Sequence, residues 1–255
     1  MQCSNNLAQI GIAFHSFELT YGTLPSGVTN STGPIRYEPT GDHTSWTVRL
    51  MPYLEQAALY EKLDLEKGIY DPANRSVRQF RLPTYLCPSS PLPQLSSFDE
   101  KPIASTSYAG SHHSVEAPID VNNDGVLFLN SRLPFNEITD GLSNTLIVGE
   151  KLSIDDKLGW MSGTRDTLRN TSSINATRKL LTSASKSGVA ATQDTETVSL
   201  GGLGVGGFDS YHTGGMNGVR CDGSVTFFSS GIDKDVLRTL GSRGDGETLQ
   251  DNYSW

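Results

Sequence analysis

Three sets of residues in this chain are of types that do chemistry. The first is the run from Asp120 to Val126, DVNNDGV. Asp120, Asn122 and Asp124 place oxygen donors at alternate positions ahead of Gly125, with the Val126 carbonyl as a fourth ligand, which is the first half of a calcium loop. Ser131 stands where such a loop needs a bidentate glutamate. The same residues therefore also read as an Asn/Asp-rich turn before a strand, and calcium is the one cofactor the sequence suggests. The second set is His112, His113 and His212. Adjacent histidines cannot share one face of a strand, and no compact zinc spacing links them to His212. His212 reads instead as a ring bonded to nearby backbone, bracing the turn at Gly214 and Gly215. The third set is made of pairs: Cys221 with His212 inside an apparent hairpin, and His212 with Glu150 or Asp222 as a hydrolytic couple. Such a couple needs its groups within about 3 Å of one another. No G-x-S-x-G elbow is present, and the closeness of Asp209, Ser210 and His212 in sequence does not make a triad. No catalytic residue is assigned. The three cysteines, Cys3, Cys87 and Cys221, allow at most one internal bridge, for which Cys87 with Cys221 is the preferred pair.

Composition narrows the partners. The net charge of -8 and a pI near 5.1 exclude nonspecific binding to nucleic acid or to an anionic membrane, since either needs a positive field. Aromatic residues are 8% of the chain and are not interleaved with basic ones, which also counts against single-stranded nucleic acid. GGLGVGG lacks a following helix, so nucleotide binding is not expected. No stretch approaches the roughly 18 apolar residues of a membrane span.

The elements that must position these residues begin with a helix. Leu7, Ile10, Phe14, Phe17 and Tyr21 recur at helical spacing and put one apolar seam on a helix over the opening stretch. Gly11 and Ala13 on its flank admit close approach of another element. Gly22 and Pro25 end it. A second helical region runs from Ser45 to Gly68, with Pro52 in a first turn. Extended pieces are expected at Thr84 to Cys87, Tyr108 to Gly110, Gly125 to Leu129, Asn144 to Val148 and Trp160 to Met161. The strongest hairpin signal is Val219 to Phe228 around Asp222-Gly223, and a short helix with a capping aspartate follows from Asp233 to Leu240. Residues 164–199 offer few apolar anchors and read as a polar insertion or mobile surface loop in a single domain over 1–255.

Several of these phrases together resemble one family. They are MQCSNNLAQIGIAFHSFELTYGTLP, TSWTVRLMPYLEQAALY, YLCPSS, SYAG, ITDGLSNTLIVGE and YHTGGMNGVRCDGSVTFF. They resemble the bacterial secreted proteins, abundant in planctomycetes, that join a type IV pilin-like N-terminus to a domain of unknown function. The resemblance implies an α+β, pilin-like fold: a long N-terminal helix packed on an antiparallel sheet with extended loops. In that family the opening stretch follows a prepilin-type leader and a hydrophobic helix, neither of which is in this sequence. Its motif positions fall on Cys3, Asn5, Asn6, Leu7, Ile10 and Gly11, then on Cys87 and Pro88. They continue on Asp140, Gly141, Ser143, Asn144 and Glu150, and on His212, Gly214, Gly215, Asn217, Asp222, Gly223 and Ser224. Scaffolding is the role implied for these positions, with a buried Glu150 or His212 satisfying backbone groups. Arg220-Cys221 and Thr213 depart from the family's usual residues. The implied function is a non-enzymatic pseudopilin or pilus-like assembly subunit. It would be exported to the periplasm or cell surface and membrane-anchored as a precursor, and it would meet other pilin-like subunits or secretion components through the N-terminal helix, whose face here is Leu7, Ile10, Phe14 and Phe17. An alternative is a surface module binding a glycan or other ligand with Trp46, Trp160 and Tyr108 as its aromatic candidates; a hydrolase is a third reading.

Overall fold

The computed structural model describes residues 1–91, 95–98, 101–154, 156–175 and 201–246. Helix α1 spans Gln2–Tyr21 and ends, as its sequence requires, on Gly22 in the left-handed conformation at φ 74°. Its seam is sunk in the larger of two cores. Leu7, Ile10 and Phe14 are buried, Phe17 packs partly against the same core, and Tyr21 is exposed. Burial of each large apolar side chain in that seam is worth about 1.5–3 kcal/mol.

Short strands β1 (Val28–Thr29) and β2 (Thr44–Ser45) pair antiparallel. The expected second helix is divided into α2 (Trp46–Arg49), a 3-10 turn at Met51–Leu54, α3 (Ala57–Tyr60) and a 3-10 turn at Leu65–Lys67 that stops at Gly68. Ser45 caps α2 through its side chain, while Pro52 and a left-handed Glu55 interrupt what the apolar pattern alone would continue. After α4 (Arg75–Arg78) comes a 3-10 turn at Pro83–Tyr85 in place of the start of an extended piece.

A small ribbon, β3 (Leu95–Phe98) with β4 (Lys101–Ala104), leads to the main sheet. That sheet has six strands: β5 (Tyr108–His113), β6 (Leu146–Glu150), β7 (Leu168–Ile174), β8 (Gly207–Phe208), β9 (Gly215–Arg220) and β10 (Val225–Ser229), in the order β10-β9-β6-β5-β7-β8. It is mixed, which corrects the antiparallel expectation. β10, β9, β6 and β5 pair antiparallel, but β7 runs parallel to β5, and β8 parallel to β7. Parallel neighbours require long connections, and the one from β5 to β7 passes through β6 on the other side of β5.

Three further expectations change, the first being Trp160 and Met161, which lie in a turn and not in an extended piece. Gly125 to Leu129 forms no strand. The N–H groups of Gly125, Val126 and Leu127 donate instead to carbonyls of His112 and Ser111, and Leu129 makes a single bridge to Val28. Residues 168–174, inside the expected insertion, are β7 itself; residues 176–200 of that stretch lie outside the described residues. Strand β7 hides its polarity rather than avoiding it. Buried Asn170 donates to Glu116 and buried Thr171 donates to the Ser114 carbonyl.

Successive residues along the strands go to opposite cores. Tyr108 enters the core that holds α1, and Ala109 enters a second one with Leu146, Phe208, Met216 and Phe228. The final helix, α5 (Lys234–Gly241), capped by Asp233, closes that second core with Val236, Leu237 and Leu240. The helix thus covers one face of the sheet, and α1 the other over β9 and β10. A Cβ on Gly11 would lie 2.9 Å from Cγ2 of Val219, so the glycine sets how closely α1 sits on β9.

Candidate functional site

Where the first turn of α1 meets the ends of β5 and β6, residues far apart in sequence converge. Cys3 and Cys87 form a disulfide, with Cα atoms 5.0 Å apart. Asn6 secures the geometry: its Nδ2 donates to the carbonyls of Leu86 at 2.9 Å and Pro83 at 3.4 Å, so the segment carrying Cys87 is tied to the turn carrying Cys3. From beneath, the Tyr108 hydroxyl donates to the Cys3 carbonyl at 3.2 Å. Burial pushes the Tyr108 phenol up, so it remains a neutral donor at any pH the fold meets.

Glu150 ends β6 opposite Tyr108 and is 2% exposed. A buried carboxylate must find donors, and it has several. Oε2 accepts from Ser210 Oγ at 2.8 Å and from the Asn217 backbone N–H at 2.7 Å, while Oε1 accepts from Asn217 Nδ2 at 3.2 Å. Ser210 is itself placed by Asn175, whose Oδ1 accepts from the Ser210 N–H, and by the His212 N–H, which donates to its Oγ. His212 completes the cluster. Its Nε2 lies 3.1 Å from Glu150 Oε1 and 3.6 Å from Cys87 Sγ. A small recess bordered by Cys87, Ser107, Glu150, Ser210 and Tyr211 reaches this point from the surface.

One ring nitrogen therefore faces both the sulfur and the carboxylate. A nucleophilic relay needs the opposite arrangement, with one imidazole nitrogen on the thiol and the other on the acid. The donor atoms of Cys3, Cys87, Glu150 and His212 instead all lie within 4.8 Å of one another.

Sequence reasoning had each of these four residues in view and weighed His212 with Glu150 as a pair, but it did not bring Cys3 and Cys87 to them. The preferred bridge between Cys87 and Cys221 is corrected: Cys221 is a free, buried thiol whose pKa burial pushes up, and it lies away from His212 in the hairpin. The His212 ring reaches the Glu150 carboxylate, which also accepts from the backbone N–H of Asn217. Gly214 and Gly223 take left-handed conformations, Gly215 opens β9, and Asp222 Oδ1 accepts from the Ser224 N–H at 2.8 Å to close the hairpin turn.

The residues of the calcium reading are put to other uses. Asp120 Oδ1 accepts from the Val121 N–H, Asp124 takes Ser114 on both oxygens and His113 at 2.7 Å, and Val126 is buried. Burial raises the Asp124 carboxyl, but the hydrogen bonds from His113 and Ser114 outweigh it and bring the pKa down to about 2. Asn122 is exposed. His112 and His113 pair with Asn123 and Asp124, not with His212. Trp46, Trp160 and Tyr108 are all buried, so they form no aromatic platform for a glycan.

A model of a family described as a protein of unknown function (DUF1559) matches residues 1–235. No curated protein and no solved structure matches the chain.

Proposed function

The chain belongs to the DUF1559 family, whose function is unknown, and from that premise we propose that it is a non-enzymatic subunit of an exported, pilus-like or secretion-pseudopilus-like assembly. The observation that carries this reading is α1. It is 20 residues long, buries one face on β9 and leaves Ile12 and Leu19 exposed on the other. A rigid helix laid over a sheet is the form in which a pilin-like subunit presents a stiff axis to its neighbours. The disulfide agrees with export, because such bonds persist in oxidising compartments. Assembly would run through helices continuous with α1, the sheet and its loops forming the outer surface. Pilin-like architecture, membrane anchoring of a precursor and contacts with other subunits belong to this proposal. Among the described residues no helix is long and apolar enough to cross a membrane.

Cell fractionation tests it. The full-length gene product, produced in a bacterium with a type IV pilus-like machinery, is expected in the membrane fraction first and then in sheared surface material. A product confined to the cytoplasm would overturn the reading. The chain described here, by sedimentation velocity, is expected to be a monomer.

A further inference from the structure

We propose that Cys3, Cys87, Glu150 and His212 form a zinc site that opens when their disulfide is reduced. This goes beyond the assembly reading and does not depend on it. The donor set is two thiolates, one imidazole and one carboxylate, all of which zinc accepts in a tetrahedral structural site. Their ligand atoms already lie within 4.8 Å of one another. With Zn–S near 2.3 Å and Zn–N and Zn–O near 2.0–2.2 Å, neighbouring donors of a tetrahedral ion sit roughly 3.2–3.8 Å apart. Of the observed separations, 3.6 Å from Cys87 Sγ to His212 Nε2 falls within this range, and 3.1 Å from that nitrogen to Glu150 Oε1 lies just below it. What separates the present state from a closed site is the bond between the two sulfurs.

The carboxylate is prepared for one-oxygen ligation. Oε2 is occupied by Ser210 and by the Asn217 N–H, whereas Oε1 faces His212 and accepts a longer bond, 3.2 Å, from Asn217 Nδ2. Outer hydrogen bonds of this kind orient ligands in known metal sites. Cys87 and Glu150 also border a small recess with Ser210 and Tyr211.

The chemistry balances as follows. A dithiol reductant attacks the Cys3–Cys87 disulfide and leaves as its own cyclic disulfide, so its two sulfurs are oxidised and the two cysteine sulfurs are reduced to thiols. Zn2+ then binds, displacing one proton from each thiol to solvent, while His212 offers the lone pair of Nε2 and carries its proton on Nδ1. Exchange with a small-molecule disulfide reverses the sequence: its two sulfurs are reduced to thiols, the two cysteine sulfurs rejoin, and the ion departs.

Cobalt is the probe. The purified chain, reduced with excess phosphine and freed of reductant, is titrated with Co2+ and then with Zn2+. One cobalt per chain is expected, with thiolate charge-transfer absorption and tetrahedral visible bands that Zn2+ abolishes. The oxidised chain should show neither. Cys87→Ser and His212→Asn should lose the signal, Cys221→Ser should keep it, and Ser210→Ala should weaken affinity by about 10–100-fold through the loosened Glu150. Circular dichroism covers the case in which the reduced chain unfolds: zinc restoring native helicity supports the site, and failure to restore it overturns it. Cobalt binding that ignores reduction, or that survives His212→Asn, overturns it equally.

Discussion

His112 is fully buried, and its Nδ1 lies 3.2 Å from Oδ1 of Asn123 while Nε2 has no hydrogen-bond partner among the described residues. Burial pushes its pKa down to about 3, so the ring is neutral in the fold. In the unfolded chain it regains an ordinary value near 6.5. The folded pKa is depressed, so stability is intact above about pH 6.5 and declines as pH falls toward 3, where the unfolded chain alone takes the proton. The slope contributed is at most about 1.4 kcal/mol per pH unit. Urea unfolding at pH 7, 5 and 4 should show that decline, and His112→Gln should flatten it. An unchanged slope in the variant would assign the acid loss to other groups. At this scale the candidate site was half legible. Glu150 and His212 stand out in sequence as motif residues, and a hydrolytic pairing of the two can be written down, yet nothing local says that Cys3 and Cys87 join them. Only the tertiary fold brings those four positions together.

Among the elements, α1 was written plainly in the sequence because a 3.6-residue period and a glycine stop both act locally. The hairpin of β9 and β10 was legible for the same reason: Asp222-Gly223 fits the turn, and the flanking residues favour strands. Strand β7 was not legible. LRNTSSI offers little apolar area, and its place in the sheet rests on Glu116 and Ser114 receiving its buried polar groups, which no periodicity reports. The seat of α1 yields a sharp test. A side chain at Gly11 must displace Val219, so Gly11→Leu should cost about 1–3 kcal/mol by overpacking. Ile12→Ala, on the exposed side, should stay within about 0.5 kcal/mol. Urea midpoints of the two variants decide it; equal losses would mean that α1 is not fixed on β9 as described.

For the molecule as a whole, the disulfide is the longest-range covalent constraint described. It closes a loop with a sequence separation of 84 and ties the first turn of α1 to the segment beyond α4. Removing it with Cys3→Ser and Cys87→Ser together should lower unfolding free energy by about 2–5 kcal/mol. A loss below 1 kcal/mol would show that the packing of α1, and the Asn6 contacts with Leu86 and Pro83, hold that corner unaided. The cover that α1 gives to β9 has a further consequence, in the order of synthesis. Leu7, Ile10 and Phe14 leave the ribosome about two hundred residues before Val219 and Val225, against which that face of the core closes. Until the hairpin has emerged, the helix has its seam and no partner. Nascent chains in this condition are prone to aggregate. This protein should therefore gain its native core only after the hairpin has emerged, and a chain stalled before residue 215 should remain sensitive to protease throughout α1.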